Sequence, residues 1–87
     1  MTDWHRIMNL AEETKKEMLL HQGKGERKFE RLLKKYGADG MIFFKRAEAY
    51  EALCIKDKAN INYLKAMALF PMPKWRSIAR EGIKRTK

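Results

Sequence analysis

Residues 40–73 read GMIFFKRAEAYEALCIKDKANINYLKAMALFPMP, and this stretch decides the fold. Small residues recur there at helical spacing, at Ala47, Ala59 and Ala66, with aromatic residues between them. Small residues let two antiparallel helices approach closely, and aromatic side chains fill the gaps that remain. Pro71 stops a helix because it lacks a backbone donor. The pattern therefore predicts a hairpin of two amphipathic helices.

This stretch resembles a tetratricopeptide (TPR) repeat, which is a helical hairpin of about 34 residues. In one ungapped register, the family's recurring bulky, small, aromatic and proline positions fall on Phe43, Ala47, Tyr50, Ala59, Tyr63, Ala66 and Pro71. The departure is Arg46, which stands where the family usually has an aliphatic residue. One repeat cannot bury its own apolar faces, so flanking helices are needed.

Both flanks have apolar stripes that predict such helices. Upstream, Trp4, Ile7, Met8 and Ala11 repeat the large, large, small spacing of an opening helix, and a turn is expected at residues 22–25. Downstream, Pro73 is well placed at the start of a helix that resembles the solvating last helix of many TPR arrays. Gly37 and Asp39 break the chain in the middle, with Asp39 as the expected N-cap of the third helix.

These observations predict one all-α domain over residues 1–87. Its five antiparallel helices are expected at residues 2–21, 26–36, 40–54, 57–70 and 73–85. They would form a degenerate, expanded repeat at 2–37, a TPR repeat at 40–73 and a capping helix at 73–86. The resemblance implies that the helical hairpins build a right-handed superhelical array.

Composition limits the class of protein. Charged residues make up 36% and hydrophobic residues 45% of the 87 residues, which is typical of a soluble globular chain. The longest apolar stretches are far too short to cross a bilayer, so no membrane is expected as a partner, and nothing at the N-terminus resembles an export signal. The single cysteine, Cys54, cannot form an internal disulfide, which fits the cytoplasm, and a small buried apolar role is expected for it.

No constellation of residues predicts catalysis, a cofactor or a metal site. Ser77 has no histidine near it in sequence, and the glycines at 23 and 25 lack the remainder of a phosphate-binding loop. One helix face carries Glu13, Glu17 and His21. Their spacing is compatible with a metal site, but equally with a solvated face. We favour the solvated face and predict that the chain is not an enzyme.

The TPR resemblance implies a groove lined by the first helix of each pair. Carried over position by position, the groove residues are Met41, Phe44, Glu48 and Glu51, then His5, Asn9, Glu12 and Glu13 upstream, then Arg76 and Arg80 in the last helix. The lysine and asparagine clamp by which some members hold a carboxylate is missing, because Phe44 and Glu48 stand at those positions. The resulting hypothesis is a protein-interaction module that binds a peptide or a helical segment. The segment would be anchored by Met41 and Phe44, and its positive charge would be selected by Glu48 and Glu51. The alternative is that Met41 and Phe44 only pack against a neighbouring helix.

The net charge of +9 is concentrated in two segments, which carry +4 over residues 24–36 and +5 over residues 74–87. The cations on the outer faces of these two helices are Lys24, Lys28, Arg31 and Lys35, and Arg76, Arg80, Lys84 and Lys87. Such faces are usually only solvated. The sharper alternative is sequence-independent binding of nucleic acid or another polyanion. A weak homodimer that covers exposed end faces is a further expectation.

Overall fold

The computed structural model describes residues 4–87, which form five helices and no strand. The helices are α1 (Trp4–Leu20), α2 (Gln22–Tyr36), α3 (Gly40–Ala52), α4 (Lys56–Leu69) and α5 (Pro73–Arg85). The all-α prediction is confirmed, and α5 has the predicted bounds. The predicted start of the first helix at residue 2 lies outside the described residues, and the superhelical hand stays a prediction.

Helix α3 forms the centre of the molecule. Eight of its thirteen residues are buried, and they face in every direction around the helix: Gly40, Met41, Ile42, Phe43, Phe44, Ala47, Ala49 and Tyr50. It packs against α1, α2 and α4. Ala47 on α3 and Ala59 and Ala66 on α4 have no exposed surface, so the predicted alanine seam between the two helices is confirmed.

Polar contacts hold α2 and α4 to the central helix. The Tyr50 hydroxyl donates a hydrogen bond of 2.5 Å to Glu26 on α2, and burial together with this bond raises the pKa of Tyr50 to about 12. Arg46 Nη1 lies 2.8 Å from Glu30 on α2, and Arg46 Nε donates a 2.7 Å bond to Asn62 on α4. The arginine at the departure from the repeat pattern therefore links three helices.

The α2–α3 break has the predicted capping residues. Gly37 adopts φ 81°, a left-handed conformation that favours glycine, and its N–H bonds to the Leu33 carbonyl. The Asp39 carboxylate accepts a 2.8 Å hydrogen bond from the Met41 N–H, as expected of an N-cap. The expectation of a buried Cys54 is wrong, because this residue lies in the turn after α3 at φ 63° and is exposed.

The turn between α1 and α2 does not lie at residues 22–25, where it was predicted. It occurs at His21, and α2 begins four residues earlier than expected. The reason is close packing: an ideal Cβ at Gly25 would lie 2.2 Å from Met18 Cβ. Gly25 therefore serves the contact of two crossing helices, and glycine within this segment does not mark a loop.

Helix α5 packs antiparallel to α4. Gly82 lies against the Tyr63 ring, where an added Cβ would be 2.6 Å from the nearest ring atoms. At the other edge of the pair, Asn60 donates hydrogen bonds to the Ile83 carbonyl and to Thr86 Oγ1, both at 3.2 Å. Among the described residues, no helix combines the length and the apolar character that spanning a bilayer requires.

We predict that Gly25→Ala destabilises the protein by about 1–3 kcal/mol, because α1 and α2 must move apart to admit a methyl group. For a chain of this size the midpoint of thermal unfolding falls by roughly 4–8 °C per kcal/mol, which circular dichroism measures.

Gly23→Ala in the same helix is the matched control. Its nearest neighbour is the mobile end of Arg27, 3.6 Å away, so we expect an unchanged or slightly higher midpoint. Equal effects of the two substitutions would contradict the close α1–α2 contact.

Candidate functional site

The predicted groove is filled by the chain's own aromatic side chains. Trp75 on α5 reaches across the start of α3, with ring centroids 5.9 Å from both Phe44 and Trp4. Phe70 is a third ring in contact with Trp75, with 5.7 Å between the two ring centroids. Met41 has no exposed surface and Phe44 only 5%. The prediction that these two residues anchor a partner is corrected, because neighbouring helices already cover them.

The acidic residues of the predicted groove are also engaged within the chain. Lys45, whose side chain is 15% exposed, lies 2.7 Å from Glu12 and 3.2 Å from Glu48. Lys15 bridges the same two carboxylates at 3.1 and 3.5 Å. Partial burial raises the pKa of Glu12, but the two lysines outweigh it and the net shift is downward. Two positive and two negative charges thus form a closed network between α1 and α3.

Glu51 completes this pattern at the end of α3. It accepts a 2.6 Å hydrogen bond from the Tyr63 hydroxyl and a 2.8 Å bond from Arg85 Nε. Arg85, followed by Tyr63, holds the pKa of Glu51 below its ordinary value despite partial burial, while burial and Glu51 raise the pKa of Tyr63. Neither Glu48 nor Glu51 is left unpaired for a cationic partner.

The remaining residues of the predicted groove belong to α1 and α5. Asn9 on α1 is exposed. His5 is also exposed, and its ring makes an edge contact with Trp4 at 5.9 Å between centroids. Glu13 lines a cleft between α1 and α2, and Arg76 and Arg80 line a different cleft between α4 and α5. Glu13 and the two arginines therefore do not line one common cleft.

Three of the four predicted polyanion-binding residues on α2 share the α1–α2 cleft, which has a volume of about 330 Å³. They are Lys28, Arg31 and Lys35. Glu13 and Glu17 line the same cleft, and Glu17 forms salt bridges with Lys28 and with Lys24. The hydrogen bond from Lys28 lowers the pKa of Glu17. Desolvation raises this pKa and Lys24 lowers it further, so the net shift is downward. This cleft carries both signs of charge and is not a uniform anion site.

The α4–α5 cleft differs in its charge. It has a volume of about 490 Å³ and is lined by Met67, Ala68, Pro73, Arg76, Ser77 and Arg80, with no acidic residue among them. Neither arginine forms a salt bridge with a carboxylate of residues 4–87. Lys84, one turn beyond Arg80, pairs with Glu81 at 3.5 Å.

An apolar stripe on α4 continues from this cleft. Ile61 is 51% and Leu64 45% exposed, and Ala68 is also exposed. The spacing i, i+3, i+7 places these three residues on one side of α4. Because Ala68 shares a cleft with Arg76 and Arg80, the Ala68 end of the stripe lies beside these two cations of α5. We call this surface the α4–α5 face and define it as Ile61, Leu64, Ala68, Arg76, Ser77 and Arg80.

The cations of this face were predicted from the sequence, but its apolar half was not. Tyr63 and Ala66 on α4 fit the alanine seam, and a second apolar side of the same helix was not predicted. The spacing of Ile61, Leu64 and Ala68 was the available signal. Within residues 4–87 no group of three or more histidine, cysteine or acidic residues has the arrangement of a metal site.

Comparisons of the chain with protein-family models, with curated proteins and with solved structures gave no match in any of the three. The functional interpretation therefore depends on the geometry and charges of this chain.

We predict that Glu51→Gln lowers the free energy of unfolding by about 1 kcal/mol near neutral pH, because Arg85 loses its ionic partner and is half exposed. The pKa of Glu51 is lower in the folded than in the unfolded chain. The stabilisation by the ionised Glu51 carboxylate is therefore present above the pKa of the unfolded state, and it is lost as pH falls through the pKa of the folded state. Urea unfolding at pH 7 and at about pH 3 measures this, and the difference from wild type should disappear in acid.

Glu81→Gln is the control, since it removes an ion pair with Lys84 in which both side chains are more than 60% exposed. We expect almost no change at either pH. A loss for Glu51→Gln that persists unchanged in acid would refute the ionic origin of the effect.

Proposed function

We propose that this chain is a non-enzymatic protein-interaction module that docks a segment of another protein on its α4–α5 face. The observation that carries the proposal is the exposed apolar stripe of Ile61, Leu64 and Ala68, whose Ala68 end shares a cleft with Arg76 and Arg80. Exposed aliphatic residues grouped on one side of a helix and bordered by cations are typical of a surface that a partner covers. The resemblance of residues 40–73 to a TPR repeat adds support, because that family binds proteins.

The docking surface proposed here is not the groove that the resemblance implies. That groove is occupied by Trp75 over Phe44 and by the charge network of Glu12 and Glu48. The α4–α5 face has no such covering from the described residues. A cytoplasmic location, suggested by the single Cys54, stays part of the proposal.

The experiment is affinity capture from native extract with wild type, Leu64→Glu and Leu20→Glu. Leu64→Glu places a charge inside the apolar stripe, and we expect it to reduce the captured polypeptide at least about tenfold. Leu20→Glu is the matched control, because Leu20 is 79% exposed at the end of α1 and lies outside the α4–α5 face. Circular dichroism checks that both variants fold, which their exposure leads us to expect.

Equal capture by the two variants would refute docking at this face. Captured material that nuclease removes would favour the second candidate function.

That second candidate is sequence-independent polyanion binding, and one observation favours it. Only seven of the chain's twenty lysines and arginines form salt bridges with carboxylates of the described residues, which leaves a large unpaired positive charge. The unpaired cations include Arg31, Arg76 and Arg80.

If the polyanion function holds, affinity for single-stranded DNA falls linearly on a log–log plot against salt, and Arg80→Gln reduces the slope by about one. Fluorescence anisotropy at several salt concentrations measures the slope. Ser77→Ala is the control, because Ser77 lines the same cleft without a charge. A slope that Arg80→Gln does not change would exclude Arg80 from phosphate contact.

A further inference from the structure

We infer that the occupant of the α4–α5 face is an acidic amphipathic helix of another protein. This inference rests on the proposed function and specifies the chemistry of the partner. Its apolar side chains would pack on Ile61, Leu64 and Ala68, and its carboxylates would pair with Arg76 and Arg80.

The apolar stripe fits a helix in its dimensions. Ile61 and Ala68 are seven residues apart, which is about 10 Å along the axis of α4 at 1.5 Å per residue. That length matches two turns of a partner helix with apolar residues at i, i+3 or i+4, and i+7. The small Ala68 beside the larger Ile61 and Leu64 leaves space for a bulky partner side chain at one end of the stripe.

The charges fix the sign of the partner. Arg76 and Arg80 are one helical turn apart, about 6 Å along α5, so they match carboxylates that are also one turn apart. Each guanidinium can donate two parallel hydrogen bonds to a carboxylate, which is a bidentate geometry. The nearby acidic residues do not neutralise them: Glu81 pairs with Lys84, and Asp57 lies near the opposite end of α4, four residues before Ile61.

Other occupants fit this surface less well. Two copies of the face packed with their α4 helices antiparallel would bring Arg76 and Arg80 towards the same residues of the second copy, and like charges oppose that contact. A polynucleotide would use the arginines but gain little from Ile61 and Leu64, because bases stack on aromatic rings and the face has none. The aliphatic stripe therefore distinguishes the acidic helix from a simple polyanion.

The test uses three labelled probes with the full chain, read by fluorescence anisotropy at about 0.1 M salt. The first is a synthetic peptide of about 18 residues with leucines at helical i, i+3, i+7 spacing and glutamates flanking them. The second has the same composition in scrambled order, and the third is oligo-dT of similar charge. We expect the ordered peptide to bind at least about tenfold more tightly than the scrambled one.

Variants of the chain separate the apolar from the ionic contribution. Leu64→Asn should weaken the ordered peptide by about fivefold or more and leave oligo-dT unchanged, while Arg80→Glu should weaken both probes. Leu20→Asn, outside the face, should change neither. Thermal unfolding of each variant shows that the fold is retained.

The inference is overturned if the scrambled peptide binds as well as the ordered one, or if Leu64→Asn leaves peptide affinity unchanged. Oligo-dT that binds more tightly than either peptide would assign the arginines to polyanion binding instead. A concentration-dependent dimer that Leu64→Asn abolishes would assign the stripe to a second copy. Capture from extract that depends on Leu64, together with failure of the ordered peptide, would keep the docking function and overturn only the acidic helix.

Discussion

The burial of α3 on all sides is the constraint on which the rest of the structure depends. A helix of this kind needs neighbours around its whole circumference, since exposed apolar surface is unfavourable by about 25 cal/mol per Å². Among the described residues, helices α1, α2 and α4 pack against α3. Helix α4 covers the side with Ala47, α1 covers another, and Phe70 and Trp75 close the end near Phe44. The side of α3 that the TPR resemblance assigns to a partner is covered here by Phe70 and Trp75 near Phe44.

The same constraint determines where charge is left over. Lys45 is only 15% exposed, and a cation so placed needs carboxylates close by, which Glu12 and Glu48 provide. Glu26, Glu30 and Glu51 are likewise engaged with Tyr50, Arg46 and Arg85, so most acidic residues serve contacts between helices. These carboxylates are thus paired within the fold, and the unpaired cations remain on the outer helices. At the α4–α5 face, Arg76 and Arg80 form no salt bridge with a carboxylate of the described residues.

Much of the fold could be predicted because its signals are local. The alanine seam, the Asp39 cap and the Pro73 start depend on residues close in sequence, and the structure has all three. The α1–α2 turn could not be predicted, because Gly25 takes its meaning from Met18 across a helix crossing, and the sequence around Gly25 reads as a turn. The prediction that Phe44 and Glu51 are available to a partner was wrong for a similar reason. A pattern identifies Phe44 as large and apolar, but only the tertiary arrangement determines that Trp75 lies over it and that Arg85 lies beside Glu51.

Apolar and charged groups contribute differently to a docking surface of this kind. Charged groups at a solvated edge chiefly steer approach and fix orientation, since screening limits their contribution to affinity. Apolar groups that become fully covered contribute most of the free energy of binding, and they do so without regard to the sign of the partner. Ile61 and Leu64 would therefore give affinity but little selectivity if they stood alone. In the proposed docking, Arg76 and Arg80 near the Ala68 end of the stripe would supply the selectivity, and the combination would favour a partner that is both apolar and acidic along one side.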